Sequence, residues 1–395
     1  MKKRILFIML AVVLALSVGI IGCNGGQQEE EEEEEEEEPR TVITLDFGTF
    51  WGPVDFQVGG EGSPYPGTGH QAWMDTIAEQ VLADTDDYEI EWQVFYAKNP
   101  VTDLWPGVTS TPATYDVITS GPGYTAGVMP LWAGPEYPAE LDSRVDALAC
   151  SMAYQKLYDD YAPAAAEIDD QVKLMHLWST GPGFFLMTPA WGPITSMNDF
   201  TDAKIRAANP ASAALIPALG AEVYSVPMSG AYEAFEAGLV DGILCPTDTP
   251  VGFGLDEFVR SAAYAPASYQ FVFFKVMSKS TWDSLPTEVQ AVFDDVNAEW
   301  PEYYGKLRQW GEEGGLAECE DTYGAEWTTV DLPNDYPSVY SEITAVCDSV
   351  RATWTGASAD NQAMWDAFVT ASDWAAANYA GTFTPGTTPP SPPTF

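Results

Sequence analysis

The sequence predicts an α/β protein made of two α/β lobes joined by crossing strands, with C-terminal helices. Three observations predict it. From Thr41 onward, β-rich apolar runs alternate with helical periodicity, the pattern of β-α-β units. An apolar run over 172–178 breaks at Gly181-Pro182-Gly183 and restarts at once over 184–187, as a strand does where a chain passes from one lobe to another. The stretch 336–379 carries amphipathic helices. A chain of 395 residues is long enough for two or more domains or a pair of linked lobes.

Composition narrows the function classes. Sixteen basic residues against 59 acidic ones give a net charge of −43, which excludes an ordinary binder of nucleic-acid phosphates, since that needs a positive field. Only two histidines, His70 and His176, are present, so neither a multi-histidine metal site nor a histidine-relay enzyme is expected. Hydrophobic residues at 46% argue for a packed core despite the charge.

The N-terminus reads as a leader. Met1 to Arg4 is positive, 5–18 is apolar but too short for an ordinary spanning helix, and Ile20-Ile21-Gly22-Cys23 resembles a bacterial lipobox. That resemblance implies a lipidated Cys23, with 1–22 removed, and membrane attachment through the lipid. The competing reading is a plain secretory signal with a chance cysteine. Ten consecutive glutamates, Glu29 to Glu38, repel one another and extend, so 23–40 is expected to be a tether.

The body follows in order. The alternating 41–47 predicts a strand, 48–69 a loop rich in Gly and Pro, and Trp73, Ile77 and Val81 a helix over 70–83. Strands are expected at 89–95 and 115–119, then at 172–178 and 184–187. A short strand over 203–207 leads through Asn209-Pro210 into a helix with Leu215 and Leu219 that Gly220 ends. After a strand at 222–226, Ser229 is expected to cap a helix carrying Tyr232, Phe235 and Leu239. The chain turns into a strand at 240–244, returns to the first lobe along 270–277, and continues into a helix over 286–300. The expected organisation is lobe I from 41–178, lobe II from 179–267, a return to lobe I plus C-terminal helices packing on both lobes over 268–380, and an unstructured Thr/Pro-rich tail over 381–395.

Outside the leader stand Cys150, Cys245, Cys319 and Cys347. No C-x-x-C spacing is present, so zinc is not expected. Four cysteines allow three pairings, and Cys319 with Cys347 is favoured on sequence proximity alone.

Lobe II carries a resemblance. Lys204-Ile205-Arg206-Ala207-Ala208-Asn209, then Ala218-Leu219-Gly220-Ala221, then Ala231 to Gly242 (AYEAFEAGLVDG), and later Val276 to Gln290 (VMSKSTWDSLPTEVQ), stand in order at suitable separations. Together they resemble the solute-binding proteins of TRAP (tripartite ATP-independent periplasmic) transporters, the DctP-like family. Good matching covers Lys204 to Phe293. The resemblance implies a periplasmic-binding-protein-like fold that closes on a small organic acid and hands it to a gradient-driven membrane permease. It implies no catalysis and no cofactor.

Within that family the arginine of K-[IL]-R pairs with the ligand carboxylate, and Arg206 matches it; a planar guanidinium offers two parallel donors suited to a carboxylate. The alternative is a surface or interlobe salt bridge. Asn209 matches a polar ligand position, against a turn or capping role before Pro210. Three departures strip polarity from the implied pocket: Gly181-Pro182-Gly183-Phe184-Phe185 replaces a segment with a second arginine, Gly230 replaces a glutamate, and Cys245 replaces a polar residue. A monocarboxylate with an apolar body is therefore expected, with Trp51, Tyr124, Trp178, Phe184 and Trp191 as candidate walls, each also readable as core. His70 is a weaker ligand candidate. Asp46, Asp116 and Asp241 could join a cation, but their spacing suggests no metal site. The readings kept open are the binding lipoprotein of an ATP-driven importer, a secreted hydrolase and a cell-surface adhesin.

Overall fold

The computed structural model describes residues 39–52, 69–96, 100–125 and 127–395. The leader, Cys23 and the glutamate run lie outside the described residues. So does most of the expected 48–69 loop.

The body, Arg40–Phe395, is organised on two sheets. In sheet A, β1 (Thr41–Thr49) pairs in parallel with β2 (Tyr88–Tyr96) and β3 (Val117–Ser120). Its other half is β4 (Val172–Ser179) and β10 (Val272–Ser278), giving the order β2-β1-β3-β10-β4 with β10 antiparallel to both neighbours. Sheet B contains β5 (Phe184–Met187), β6 (Lys204–Ala207), β7 (Glu222–Ser225), β8 (Gly242–Cys245), β9 (Ser261–Tyr264) and β11 (Thr328–Asp331), in the order β11-β9-β5-β8-β6-β7. Each sheet is thus the floor of one lobe, as expected.

Helices cover the sheets. Against sheet A lie α1 (Gly69–Asp84), α2 (Val101–Thr109), α3 (Ala147–Asp160) and α4 (Ala162–Asp169); α1 buries Trp73, Ile77 and Val81, the stripe that the periodicity predicts, together with Met74. Lobe II carries α5 (Pro210–Ala218), α6 (Ala231–Glu236) and the single turn α7 (Thr249–Gly252). After β10 come the short α8 (Lys279–Ser284) and then α9 (Thr287–Tyr323), 37 residues and about 55 Å long at 1.5 Å per residue. The chain ends in α10 (Leu332–Asp335), α11 (Pro337–Thr355) and α12 (Ala359–Tyr379), the last packed on α3 through Tyr154 and Phe368, ring centroids 4.9 Å apart.

Among the links between the lobes, two extended crossings bond to one another. Thr180 donates its amide to the Phe271 carbonyl at 2.9 Å, and Ala265 donates to Gly183 at 2.9 Å. The Gly-Pro-Gly break is thus where β4 leaves sheet A and β5 enters sheet B. Gly183 is required there because a Cβ would lie 2.5 Å from the Tyr269 Cβ.

Several expectations need correction. The helix expected at 286–300 runs on to Tyr323. Its C-terminal part reaches lobe II, where Cys319 packs with Phe235 and Leu255 in that lobe's core. Ser229 does not cap α6: Gly230 occupies the N-cap and no side chain accepts there. Cys319 and Cys347 are not bridged. All four cysteines of the body are free and buried, and Cys347 lies in the other core cluster. The segment 381–395 has no helix or strand, but part of it lies on α9, with the Trp310 indole donating to Gly386 at 3.1 Å.

Candidate functional site

β6 is only four residues long and is held between β8 and β7. Alternation along it sends Ile205 to one face and Arg206 to the other. Arg206 is fully buried, yet its guanidinium is only partly satisfied. Its Nε donates to the Val226 carbonyl at 2.8 Å, while Nη1 and Nη2 have no hydrogen-bond partner among the described residues. Burying charged donors without acceptors is unfavourable, so such a group is suited to receiving an anion.

Arg206 lines a tight cavity between the sheets, with about 30 Å³ for the centre of a water-sized sphere. The sheet A side supplies aromatic walls: Phe50, Trp51, Tyr124 and Phe273. Trp51 stacks on Phe50 at 3.9 Å and meets Phe273 edge-on at 4.9 Å; Tyr124 meets Phe50 edge-on at 5.6 Å. Burial raises the Tyr124 phenol pKa, against the charge and the approach of the Arg206 guanidinium to its oxygen, so the phenol stays neutral beside that cation. Cys245, at the end of β8, lines the same space; burial pushes its thiol up to about 12, leaving a neutral, weakly polar wall.

The other sequence candidates fall elsewhere. Asn209 is buried beside Arg206 but engaged: its Oδ1 accepts the Ser212 amide at 2.8 Å as the N-cap of α5. Its Nδ2 donates to Glu136 at 3.0 Å and to the Gln270 carbonyl at 3.1 Å. It lines a wider cleft of about 380 Å³ that shares Tyr124 with the tight cavity. Trp178 is buried behind the aromatic wall, 5.7 Å from Phe273 and 4.3 Å from Tyr304. Phe184 packs on Tyr264 and lines a separate cavity with Pro182, Glu312 and Leu316. Trp191 donates its indole to Asp199.

His70 and His176 lie under the site rather than in it. Burial and then the Lys275 charge hold both imidazoles well below their ordinary pKa. Lys275 is itself buried, with Nζ 3.9 Å from the Trp73 ring centroid. Two of the three aspartate carboxylates do structural work: Asp116 accepts the Asp46 backbone amide at 2.8 Å and the Thr281 hydroxyl at 2.6 Å, and Asp241 accepts the Lys204 amide at 2.9 Å. Among the described residues no group of three or more His, Cys, Asp or Glu could hold a metal.

Sequence reasoning missed a second guanidinium in the lining. Arg308, on α9, faces the cavity near Arg206 but grips Asp248 through both terminal nitrogens at 2.6 and 2.7 Å. Its Nε donates to Glu312 at 3.0 Å. Burial lifts the Asp248 and Glu312 carboxyls above their ordinary range, against the pull of Arg308. Nothing in the local pattern of α9 marks Arg308; only the path of a helix spanning both lobes brings it there.

Residues 150–337 match the family model for bacterial extracellular solute-binding protein, family 7, DctP. Over that stretch the chain resembles the DctP family. The chain is 26% identical over 151 residues to the C4-dicarboxylate-binding periplasmic protein DctP of Rhodobacter capsulatus, a match covering 38% of this chain and 44% of that relative. The match therefore spans less than half of the relative's length. The DctP-like fold extends further. A TRAP solute-binding protein from Rhodoferax ferrireducens, solved with copurified benzoate, superposes with a TM-score of 0.71 at 20% identity, covering 85% of this chain and 99% of that one. A marine-metagenome TRAP solute-binding protein specific for aromatic acid ligands, solved with metahydroxyphenylacetate, gives 0.70 at 21% identity, covering 85% and 99%. At these identities the structures establish the architecture. No helix among the described residues is long and apolar enough to cross a membrane.

Proposed function

We propose that this chain is the extracytoplasmic solute-binding protein of a TRAP transporter, anchored to the bacterial membrane through a lipidated Cys23. It captures a small organic acid between lobe I (41–178, with the returning β10) and lobe II (179–267, joined by the end of α9 and by β11), and delivers it to a membrane permease. No step of this requires catalysis or a cofactor. The observation that carries the reading is Arg206: a fully buried guanidinium whose two terminal nitrogens have no hydrogen-bond partner among the described residues, facing aromatic walls.

The ligand carboxylate would take those two donors in a bidentate pair. The apolar body would lie against Trp51, Phe50 and Phe273, with Tyr124 donating from the side. The tight cavity is far below the roughly 300–1,000 Å³ of ordinary ligand pockets. Entry therefore requires the lobes to part about the segments that join them, and the ligand bridges them when they close. A monocarboxylate with an apolar or aromatic body suits these walls. Aromatic acids in two structural relatives support that class; the C4-dicarboxylate relative and the second guanidinium, Arg308, favour a dicarboxylate as the second reading.

The test is a thermal-shift and calorimetric screen of the full chain against small carboxylates including benzoate, with Arg206→Ala beside it. Saturating acid should raise the parent's midpoint by several degrees, and the variant should lose about 2–5 kcal/mol of binding. Equal binding by the two proteins would remove Arg206 from the site. Cys23→Ala, fractionated beside the parent, should leave the membrane.

A further inference from the structure

We propose that Asp248 determines ligand charge: it is a built-in carboxylate that occupies the second guanidinium of the cavity and so restricts the site to monoanions. The inference rests on the reading of Arg206 as the carboxylate receptor.

Two guanidinium groups line the cavity, and they differ in their partners. Arg206 has two terminal nitrogens without partners among the described residues. Arg308 has both terminal nitrogens on Asp248, at 2.6 and 2.7 Å, and its Nε on Glu312. The fork-to-fork geometry between Arg308 and Asp248 is the one a ligand carboxylate would adopt. Asp248 already fills that place.

Asp248 cannot readily withdraw. It follows β8 directly, and α9 runs against its backbone: a Cβ on Gly315 would lie 2.7 Å from the Asp248 Cα and 2.6 Å from the Thr247 carbonyl oxygen. Glycine at 315 is what allows this approach, and the approach fixes Asp248 against Arg308. Both side chains are nearly fully buried. Cys245 lies within the influence of Arg206, Asp248 and Arg308, so the three charges surround one small space.

The charge count follows. The Arg308 charge is met by Asp248, with Glu312 on its Nε pushed by burial towards the neutral form, and the Arg206 charge is left for one incoming carboxylate. A dianion would bring its second carboxylate against Asp248, in a water-poor space where like charges repel strongly. The aromatic walls offer that second charge no hydration. Specificity thus arises from a repulsive element as much as from the attractive one.

The experiment measures binding to the full chain by calorimetry for benzoate, isophthalate, 3-carbamoylbenzoate and succinate. Isophthalate and 3-carbamoylbenzoate have nearly the same shape but carry two charges and one. The proposal expects 3-carbamoylbenzoate to bind within about tenfold of benzoate, isophthalate and succinate to bind about 100-fold more weakly or not at all, and Asp248→Asn to narrow the gap between the two shape-matched acids by about tenfold or more. If isophthalate binds as tightly as 3-carbamoylbenzoate, or succinate is the tight ligand, the proposal is wrong. It is equally wrong if benzoate binds and neither meta-substituted acid does, since shape then sets the preference. Should Asp248→Asn fail to fold, the parent's discrimination between the shape-matched pair decides alone. If no acid binds and Arg206→Ala behaves like the parent, the underlying reading of the site fails and takes this proposal with it. That outcome is distinct from one in which benzoate binds and only charge discrimination is absent.

Discussion

Glu312 on α9 accepts the backbone amide of Gly181 at 2.8 Å, tying the long helix to the first interlobe crossing. Arg308 holds the same carboxylate at 3.0 Å, so it cannot swing aside freely. A Cβ at position 181 would lie 2.2 Å from Glu312 Oε2. Gly181→Ala is therefore expected to destabilise the fold by about 2–3 kcal/mol, the range of overpacking in a fixed site. Urea denaturation reads this directly; a loss under about 0.5 kcal/mol would mean that the carboxylate yields.

Glu136 bridges the lobes, and its carboxyl responds to pH. It accepts the Val272 amide of β10 at 3.1 Å and the Asn209 amide of lobe II at 3.0 Å. Burial raises its pKa from 4.5 to about 8, against those two bonds and the Arg144 charge. The folded state therefore holds a proton that the unfolded state has released between pH 4.5 and 8, and this group's contribution to stability falls as pH rises through that window. Parent stability minus that of Glu136→Gln should decline from pH 5 to pH 8. A difference that stays flat would show the carboxyl to be ionised throughout. His70 and His176 act with the opposite sign below about pH 6.5, since both are held neutral in the fold, and they are common to both proteins.

Asn209 combines two duties that substitutions can separate. Asn209→Ala removes the α5 cap and the bridge to Glu136, and should destabilise by about 1–2 kcal/mol. Asn209→Asp keeps the cap but sets a carboxylate against Glu136. Its loss should grow above pH 8, where both groups carry charge. Chemical denaturation of both variants at pH 6 and pH 9 would show it; a pH-independent deficit in Asn209→Asp would rule out the bridge.

The four body cysteines should be silent until the fold opens. Burial raises the thiol pKa at Cys245, Cys319 and Cys347 to about 12, and that of Cys150 higher still. Little thiolate exists at neutral pH and none of the four sulfurs is exposed. A thiol reagent should therefore label these residues only in denaturant, and reductant should leave the melting temperature unchanged. Fast labelling of any of them in the native state would contradict the burial.

The sheets were legible wherever the chain punctuates itself. Gly181-Pro182-Gly183 marks the first crossing, and alternation marks β1 and β2, because turn chemistry and a half-buried face leave local traces. β9 (Ser-Ala-Ala-Tyr) and β11 (Thr-Thr-Val-Asp) leave none: each is four residues long with little apolar bulk, and sheet neighbours define them. The length of α9 was hidden by Pro301 and Gly314-Gly315, which read locally as breakers. Gly315 is there for close passage over Thr247 and Asp248, a tertiary reason that no window of sequence contains. Among the residues that line the cavity, Arg206 could be singled out from its strand and motif. Arg308, Asp248 and Glu136 could not, since their roles depend on partners 60 to 136 positions away.

The placement of β10 dictates the order in which lobe I can be completed. This strand lies between β3 and β4 in sheet A, yet it follows all of lobe II in the chain. β4 has no other strand beside it among the described residues. A growing chain that stops short of residue 272 therefore carries half a sheet, with the edge of β3 open and β4 unpaired. Contacts of such long sequence separation close slowly, and open strand edges are sticky while they wait. The first lobe to be made is thus the last to be finished, and its closure waits on the whole of the second.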